Sequence, residues 1–387
     1  MQLLQPDPPR LRPDAMDLAL RQAREALNGE APELVLVNDP QRATASHEVL
    51  SGARDYFDLS AARVLVATGS HRFAEGEKRE LERAFRHIPL GDWDWHDARR
   101  RDLAAIDGAD GWRAHPWLIR ARRLLAVGSV EPHYFAGFSG AHKTVTIGCA
   151  AGADIARNHA GAMDPACRPC RLAGTPVHEG VCAMLALLET GRRVAAVNLL
   201  QAGAAIVDAA GGAPLAALNE LAPKVKAAYL RRIPRLAEAL VAEVSGPLAC
   251  SFYQAEKGIK NSEWAVRDGG AIVLQAACPQ GIGQNAFVDL LRQAATYAKA
   301  ENLVRERGYR LGDHKAVRLR HLTDPTRRGV RVFVVSPGLS DSDAAVLGVK
   351  RADSVEAALL QAGVNPEGAD VYRVADAGNT CVEVDAP

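Results

Sequence analysis

The stretch EPHYFAGFSGAHKTVTIG, residues 131–148, brings histidine, lysine and a glycine-rich turn close together. His133 is suited to proton transfer, because the pKa of an imidazole lies near the working pH of most enzymes. Lys143 follows small residues that leave room for a bulky group, so it is a good position for a covalently linked cofactor. The segment is therefore either a phosphate-binding loop or part of an active site in which these side chains react.

The phosphate-loop interpretation is weakened at one position. Residues 137–144 read GFSGAHKT, which is within one residue of the pattern G-x-x-x-x-G-K-[ST]. The mismatch is His142, which stands where the pattern needs a glycine so that the backbone can approach the phosphates. The residues that follow, VTIGCAAG, are also a weak start for a helix. A nucleotide-binding enzyme of this kind is kept as an alternative.

Polar side chains also follow other apolar runs of the chain, where catalytic residues of α/β proteins are usually found. Two imidazoles can act as acid and base on opposite faces of a carbon centre, and a third can bind a transition metal such as nickel, zinc or copper. Arginine and lysine can hold a carboxylate. The candidate segments are ATGSHR (67–72) with His71 and Arg72, NDPQRATAS (38–46) with Asp39 and Arg42, and ARNHAGAMD (156–164) with His159.

Short β-branched runs alternate with helical patterns, which predicts an α/β fold with mainly parallel sheets. The predicted strands of the first series are 33–38, 62–69, 122–130 and 193–200, with helices at 75–86 and 176–191. The second series has predicted strands at 249–254, 270–278 and 331–336, with a long helix at about 284–304. The charged helical stretch 220–240 is the expected connector.

A chain of 387 residues is too long for one ordinary hydrophobic core, so two domains are expected. We place an N-terminal α/β domain with the cofactor and catalytic residues at 1–244, and a smaller C-terminal domain that closes on substrate at 245–387. Residues 373–387 are expected to pack back on the first domain. The active site then lies in the cleft between the domains.

The charge balance favours a small-molecule partner. Lys and Arg number 47 and Asp and Glu 46, so no excess charge favours nucleic acid or an acidic membrane. No apolar stretch approaches the roughly 20 residues that span a bilayer, and the N-terminus has no signal-peptide core. These features predict a cytoplasmic enzyme, which could form a homo-oligomer.

Several other polar clusters have a structural explanation. Cys167 and Cys170 form the only close cysteine pair, but a zinc site would need further ligands at suitable spacing, so these thiols are expected to be structural or incidental. The segment DWDWHD (92–97) alternates as a half-buried strand does. The glycines of CPQGIG (278–283) either face the interdomain cleft or only form a turn.

Taken together, the motifs resemble those of the nickel-dependent lactate racemase family. They are, in order, ND-x-x-R, ATG-x-HR, EPH-x-x-AG-x-SG-x-x-K, ARNH and YQA-x-KG, and the resemblance runs from about Val35 to the closing VYRVADAG (371–378). Five motifs in order with matching internal spacings are far more specific than any one motif. A non-catalytic homologue that binds the cofactor would be expected to lose one histidine of the pair, and both are present.

The resemblance implies a role for each matching residue. Lys143 corresponds to the lysine that is bonded through a thioamide to a nickel-pincer nucleotide, and His159 to the protein ligand of nickel. His71 and His133 correspond to the paired acid/base catalysts. Arg42 and, in the second domain, Gln254 and Lys257 correspond to substrate-binding residues. Supporting roles are assigned to Asp39, Arg72 and Ser139, and cofactor contacts to Gly69, Gly137 and Gly140.

The implied reaction inverts the C2 stereocentre of a 2-hydroxy acid. One histidine removes the hydroxyl proton while hydride passes to the cofactor, and the hydride then returns to the other face of a planar 2-oxo acid. The partners implied are the substrate and the separate enzymes that make and load the cofactor. Ala141 and His142 depart from the family's usual SGG-x-K, and the Asp39 motif lacks the usual Thr and Pro. Such changes are expected to reshape the pocket, so lactate and a larger 2-hydroxy or sugar acid are both candidate substrates.

Overall fold

Two six-stranded sheets organise the computed structural model, which describes residues 1–106 and 111–385. The first sheet is parallel except for its edge strand Ala205–Gly212, which runs antiparallel to Arg193–Ala202. Its strand order is Ala205–Gly212, Arg193–Ala202, Arg123–Ser129, Leu34–Asn38, Arg63–Ala67 and Trp93–Trp95. The predicted α/β class with mainly parallel sheets is confirmed.

All strand pairs of the second sheet are parallel. Its order is Gln2–Leu4, Val371–Val374, Ala237–Glu243, Val266–Gln275, Arg331–Val335 and Lys350–Arg351. The chain therefore begins in the sheet to which most of its C-terminal half belongs. Three two-stranded ladders complete the pairing: Leu230–Ile233 with Cys381–Val384, Ala104–Ala105 with Arg113–Ala114, and Pro132–His133 with Gly137–Phe138.

Helices cover both faces of the sheets, as parallel strands buried on two sides require. The α-helices that precede the strand Ala237–Glu243 are Ala15–Ala26, Ser46–Ala53, Glu75–Ala84, Pro116–Arg120, Ala141–Val145, Gly152–Ala160, Pro176–Glu189 and Pro214–Tyr229. Those that follow are Phe252–Ser262, Asn285–Gln293, Tyr297–Arg307, Asp313–Thr323, Asp341–Leu347 and Val355–Gln361. Within the described residues, no helix is long and apolar enough to cross a membrane.

Three of the predicted elements are wrong. The expected strand at 249–254 is a 3-10 turn, Gly246–Cys250, followed by the helix Phe252–Ser262. The connector at 220–240 is only half helical, because the helix ends at Tyr229 and the strand Ala237–Glu243 already belongs to the second sheet. The single long helix expected at 284–304 is two helices, Asn285–Gln293 and Tyr297–Arg307.

The division into domains stays a proposal, with a revised boundary. Because Ala237–Glu243 is a central strand of the second sheet, the change from one sheet to the other falls before Ala237 rather than after residue 244. The strand Cys381–Val384 pairs with Leu230–Ile233, and buried Cys381 belongs to the apolar core beneath the first sheet. Gln2–Leu4 crosses the other way into the second sheet. Each half of the molecule is thus tied to the other by a terminal strand.

Candidate active site

The candidate residues of the first half lie just beyond the carboxyl ends of neighbouring parallel strands. Leu34–Asn38 leads to Asp39 and Arg42, Arg63–Ala67 leads to Gly69 and His71, and Arg123–Ser129 leads to His133. Neighbouring parallel strands end at one edge of a sheet, so their loops meet there. Five motif positions that are far apart in sequence are thereby brought to one place.

Two adjoining cavities occupy this place. The smaller has a volume of about 100 Å³ and lies against the first sheet, while the larger, of about 730 Å³, extends to the second half of the chain. Arg42, His71 and His159 line both cavities. The smaller is also lined by Asp39, Gly69, Ser139, Gly140 and Lys143, and the larger by His133, Gln254 and Lys257. All the proposed catalytic, metal-binding and substrate-binding residues therefore face one continuous space.

Asp39 orients His71. The Nδ1 atom of His71 lies 3.0 Å from Oδ2 of Asp39, whose carboxylate is buried, whereas the imidazole is one-third exposed. The other carboxylate oxygen, Oδ1, accepts a hydrogen bond of 3.0 Å from the Gln41 backbone N–H. A carboxylate at Nδ1 fixes the proton there and leaves Nε2 as the basic nitrogen. His71 is thus arranged to accept or return a proton at Nε2.

His133 has a different environment, because aromatic rings enclose it. Its ring stacks on Tyr134 at 5.5 Å and meets the edge of Phe135 at 4.4 Å. Nδ1 is buried and has no hydrogen-bond partner among the described residues. Burial lowers the pKa of His133 well below its ordinary value, and the nearby cations Lys143 and Arg42 lower it further. The imidazole is therefore neutral at physiological pH and able to accept a proton.

Lys143 lies on the short helix Ala141–Val145, and close packing holds this helix against the first sheet. A Cβ on Gly128 would stand 2.5 Å from the Ala141 nitrogen, so only glycine permits this approach. The same nitrogen donates a 2.8 Å hydrogen bond to Oδ1 of buried Asn198, and Gly140 turns into the helix with φ of 141°. Lys143 is thereby held in the wall of the smaller cavity.

The amine of Lys143 forms no hydrogen bond or ion pair with the described residues, and its Nζ lies 5.8 Å from the centroid of the Phe135 ring. Burial lowers the pKa of Lys143 well below its ordinary value, and Arg42 and Lys257 lower it further. A neutral amine is the form that can make a covalent bond to a carbonyl or thiocarbonyl carbon. The environment of Lys143 therefore suits covalent attachment.

His159, near the end of the helix Gly152–Ala160, offers one free ring nitrogen. Its Nδ1 lies 3.2 Å from Oδ1 of Asn158, and its ring contacts Phe135 at 5.0 Å. Burial lowers its pKa to about 3, so the ring is neutral and able to bind a metal. Residues 1–106 and 111–385 contain no cluster of three or more His, Cys, Asp or Glu that could hold a metal by themselves. A single imidazole suits a metal that brings its other donors with an organic group.

The structure gives no support to two expectations about this region and refines a third. Arg72 is exposed, lines neither cavity and forms no hydrogen bond or ion pair with a site residue among those described, so a supporting role for it stays a prediction. Gly137 also lies outside the cavities; a Cβ there would come within 2.1 Å of the Arg171 carbonyl oxygen, so this glycine serves the backbone rather than a cofactor. Ser139 lines the smaller cavity, but its hydroxyl donates to the Ser129 carbonyl and accepts from the Glu131 N–H.

Neither Ala141 nor His142 lines a cavity, so their side chains do not contact a ligand in the cleft directly. His142 is fully buried on the helix Ala141–Val145, with its ring 5.5 Å from the His178 ring, and both its nitrogens lack partners among the described residues. Burial lowers the pKa of His142 well below its ordinary value. The expected effect of these two residues on the pocket stays a prediction.

Several cleft residues were missed from the sequence. They are Glu131, Tyr253, His314, Lys315, Asp376 and Asn379, and all line the larger cavity. Tyr253 directly precedes the quoted motif residue Gln254, so it was within reach of sequence reasoning. The pair His314 and Lys315 begins the helix Asp313–Thr323, in a segment with no motif to mark it. The glycines of CPQGIG form a turn, and only Gln280 of that segment lines the cavity.

Both halves of the chain are similar to known proteins. A family model described as the lactate racemase N-terminal domain matches residues 18–168, and one described as the lactate racemase C-terminal domain matches residues 236–372. The lactate racemase of Thermoanaerobacterium thermosaccharolyticum is 24% identical over 304 residues, 75% of this chain and 70% of that protein. The lactate racemase of Lactiplantibacillus plantarum is 25% identical over 281 residues, 68% and 64% of the two chains.

Solved structures share the fold. The lactate racemase apoprotein from Thermoanaerobacterium thermosaccharolyticum superposes with a TM-score of 0.85 at 21% identity, covering 99% of this chain and 95% of that one. A protein from Thermotoga maritima gives a TM-score of 0.74 at 13% identity, covering 97% and 100%. The two family models match most of the chain, and the protein therefore belongs to the lactate racemase family.

Proposed function

We propose that this protein is a racemase or epimerase that inverts the C2 stereocentre of a 2-hydroxy acid, with a nickel-pincer nucleotide attached to Lys143. One observation carries the proposal. His71, His133, Lys143 and His159 converge on one continuous cleft from four separate loops or helices. The relatives named lactate racemase support an isomerase of this kind. Lactate and larger 2-hydroxy acids are its candidate substrates.

The two histidines have complementary proton-transfer roles in this proposal. His71 uses Nε2, because Asp39 holds its Nδ1 proton. His133 is kept neutral by burial and by the neighbouring cations, so it is ready to take the hydroxyl proton of a bound substrate. Racemisation needs a proton acceptor and donor for either enantiomer, and two imidazoles meet that need.

Cations of the cleft are the proposed carboxylate clamp. The guanidinium of Arg42 has no side-chain partner among the described residues, and it lines both cavities. Lys257 is buried and donates only a long hydrogen bond of 3.4 Å to Oδ1 of Asn379. Gln254 lies one turn before Lys257 on the same helix. A carboxylate held between Arg42 and Lys257 would be oriented with little freedom, which is what a planar 2-oxo acid requires before its stereocentre is rebuilt.

The residues present fit the cofactor. The chemistry such a group supplies when bound is reversible acceptance of hydride from C2. Lys143 contributes an amine whose pKa burial lowers and which has no ion pair among the described residues, and His159 contributes a neutral imidazole lining the same cavity, so the chain offers both attachment points. Phe135 contacts His133 and His159 and lies beneath the Lys143 amine, which limits access of water to all three.

Inversion of single enantiomers by the loaded protein tests the proposal. The chain is produced together with cofactor-making enzymes and incubated with pure enantiomers of lactate and longer 2-hydroxy acids. We expect optical inversion, and expect His71→Gln or His133→Gln to lower the rate by about 10²- to 10⁴-fold. Nickel-loaded protein that inverts no member of the panel would contradict the proposal and favour a non-catalytic homologue. Full activity of either variant would refute the two-base assignment.

A further inference from the structure

Lys315 is a buried lysine in the wall of the larger cavity, and burial lowers its pKa to about 8. It is 6% exposed, and within the described parts of the chain no carboxylate lies within 4.0 Å of its amine. One N–H of the ammonium donates to the backbone carbonyl of Tyr253, and the Tyr253 ring lies 3.9 Å from Nζ. An ammonium has three donors, so further donors face the cleft.

The charged side chains packed on the side of Lys315 away from the cavity carry a net positive charge together with Lys315. Lys260 lies 2.9 Å from Glu263 and 3.9 Å from Glu256, and Arg318 lies 2.8 Å from Glu263. With Lys315 this buried group holds three cations and two carboxylates, and only Lys315 lines the cavity. Burial also raises the pKa of Glu256, whose oxygens accept no hydrogen bond from the described residues. The excess positive charge is thus presented to the cleft.

The position of Lys315 relative to the proposed reaction centre is fixed by Tyr134. The centroid of the Tyr134 ring lies 5.4 Å from Nζ of Lys315 and 5.5 Å from the His133 ring. Tyr134 is itself anchored to the second half by a 3.1 Å hydrogen bond to Nε2 of His314. Lys315 and His133 therefore both neighbour the Tyr134 ring and line the same cavity, so a substrate bound at His133 can extend along this cavity toward Lys315.

We propose that Lys315 binds a second anionic group of the substrate, so that the preferred substrate is a 2-hydroxy acid with a carboxylate or phosphate at its far end. The inference rests on the proposed function for its reaction, but its binding claim can be tested separately. A lactate methyl would leave the Lys315 cation buried and unpaired. A site with a buried hydrogen-bonding cation discriminates strongly against a ligand that lacks the partner.

Binding of unreactive mimics tests the anion site without turnover. Glutarate and pentanoate have the same number of carbons, but only glutarate has a second carboxylate. Calorimetry with the loaded protein should give a dissociation constant at least about 10-fold lower for glutarate. Lys315→Met should weaken glutarate binding by roughly 10- to 100-fold and change pentanoate binding less than about twofold. Lys315→Arg should retain most of the preference, and exposed Lys299→Met is the matched control.

Kinetics with the same proteins identify the substrate class. We expect 2-hydroxyglutarate, malate or 3-phosphoglycerate to be inverted with a lower KM than 2-hydroxypentanoate or lactate, and Lys315→Met to raise that KM more than it lowers kcat. Comparing the KM values of the two dicarboxylates with that of 3-phosphoglycerate shows whether the second anionic group is a carboxylate or a phosphate. Intact mass must show equal cofactor loading of all variants.

Three results would overturn the inference. The first is equal binding of glutarate and pentanoate by the unsubstituted protein, which needs no variant to fold. The second is an equal loss of both ligands in Lys315→Met, which indicates a structural role at the Tyr253 carbonyl. The third is loss of cofactor loading in that variant, which indicates that Lys315 binds the cofactor's own phosphate. If the protein inverts lactate as readily as the substrates with a second anionic group, the proposed function stands and the inference about Lys315 does not. If glutarate binds as expected but no 2-hydroxy acid is inverted, only the proposed function is refuted.

Discussion

At the scale of single residues, the two proposed acid/base histidines differ in what holds them. His71 is held by a carboxylate and is partly exposed, whereas His133 is enclosed by rings and lacks a polar partner at Nδ1 among the described residues. The orientation of His71 therefore depends on one hydrogen bond to Asp39, and that of His133 on packing. Substitutions that leave the histidines in place can separate these two causes.

Asp39→Asn tests the hydrogen bond. Asparagine keeps the size of the side chain but not the negative charge, so it should lower the inversion rate by roughly 10- to 100-fold. Intact mass should show normal cofactor loading, since Lys143 and His159 are unchanged. The exposed residue Arg79 provides a matched control, and Arg79→Gln should leave the rate within about twofold. An unchanged rate in Asp39→Asn would show that His71 needs no orientation by the carboxylate.

The cleft residues that could be predicted from the sequence are those that belong to a motif. Asp39, His71 and Lys143 follow apolar strands, and strand ends are a signal that a sequence contains. Lys315 could not be found in this way, because nothing local distinguishes it from a surface lysine of a helix. Lys315 stands out only in the folded structure, where it lines the larger cavity and no carboxylate of the described residues lies within 4.0 Å of its amine.

At the scale of elements, the approach of the helix Ala141–Val145 to the strand Arg123–Ser129 positions Lys143, the proposed attachment point of the cofactor. This approach is possible only because position 128 has no side chain. The helix is too short to be stable alone, so its position depends on this packing and on the Asn198 hydrogen bond.

Gly128→Ala should therefore impair both stability and loading. The added Cβ would meet the Ala141 backbone at 2.5 Å, and the displacement should cost about 1–3 kcal/mol of unfolding free energy. Gly76→Ala is the matched control, because a Cβ at this exposed helical position has nothing within 4 Å. It should be neutral or slightly stabilising. Urea unfolding and intact mass measure the two effects, and equal behaviour of both variants would contradict the packing account.

Sequence patterns predicted most strands of the first sheet but failed around residues 229–262. The run ALVAEV at 239–244 follows a long helical pattern, and the strand begins only eight residues after that helix ends at Tyr229. The run at 249–254 is apolar enough for a strand, but the backbone N–H groups of Phe252 and Tyr253 bond to the turn at 281–282 instead. A short apolar run does not distinguish strand from helix, so tertiary contacts decide.

At the scale of the whole molecule, the cleft is lined by residues from both halves of the chain, and Gln2–Leu4 from the N-terminus joins the second sheet. Tyr134 and His314 connect the halves by a hydrogen bond, and Arg318 donates to the Cys167 carbonyl at 3.3 Å. Seven of the described histidines are buried or half-buried, and burial lowers their pKa values below the ordinary range. They are His96, His133, His142, His159, His178, His314 and His321.

These histidines should make the protein sensitive to acid. In the unfolded chain they bind protons near pH 6.5, whereas burial lowers the pKa of His96 to about 4 and that of His159 to about 3. The unfolded state binds more protons in this interval, so stability is present above about pH 6.5 and is lost as the pH falls toward 4. Buried Glu256 and Asp376 act in the opposite direction, because burial raises their pKa values.

Urea unfolding at pH 7.5 and pH 5.0 measures this effect. The midpoint should be lower at pH 5.0, and His96→Asn should reduce the difference between the two pH values because one shifted histidine is removed. A midpoint that is independent of pH would show that these histidines are not held in their neutral form by the fold.

The central claim is that Lys143 and His159 hold the cofactor. Intact mass, peptide mapping and nickel content of the chain produced with cofactor-making enzymes test it most directly. We predict a mass increase that maps to the Lys143 peptide, with nickel bound in proportion. His159→Ala should keep the added mass and lose nickel. The Thermoanaerobacterium thermosaccharolyticum lactate racemase serves as a control for the co-production. An unmodified Lys143 peptide without bound nickel, from cells in which that control is loaded, would contradict the account.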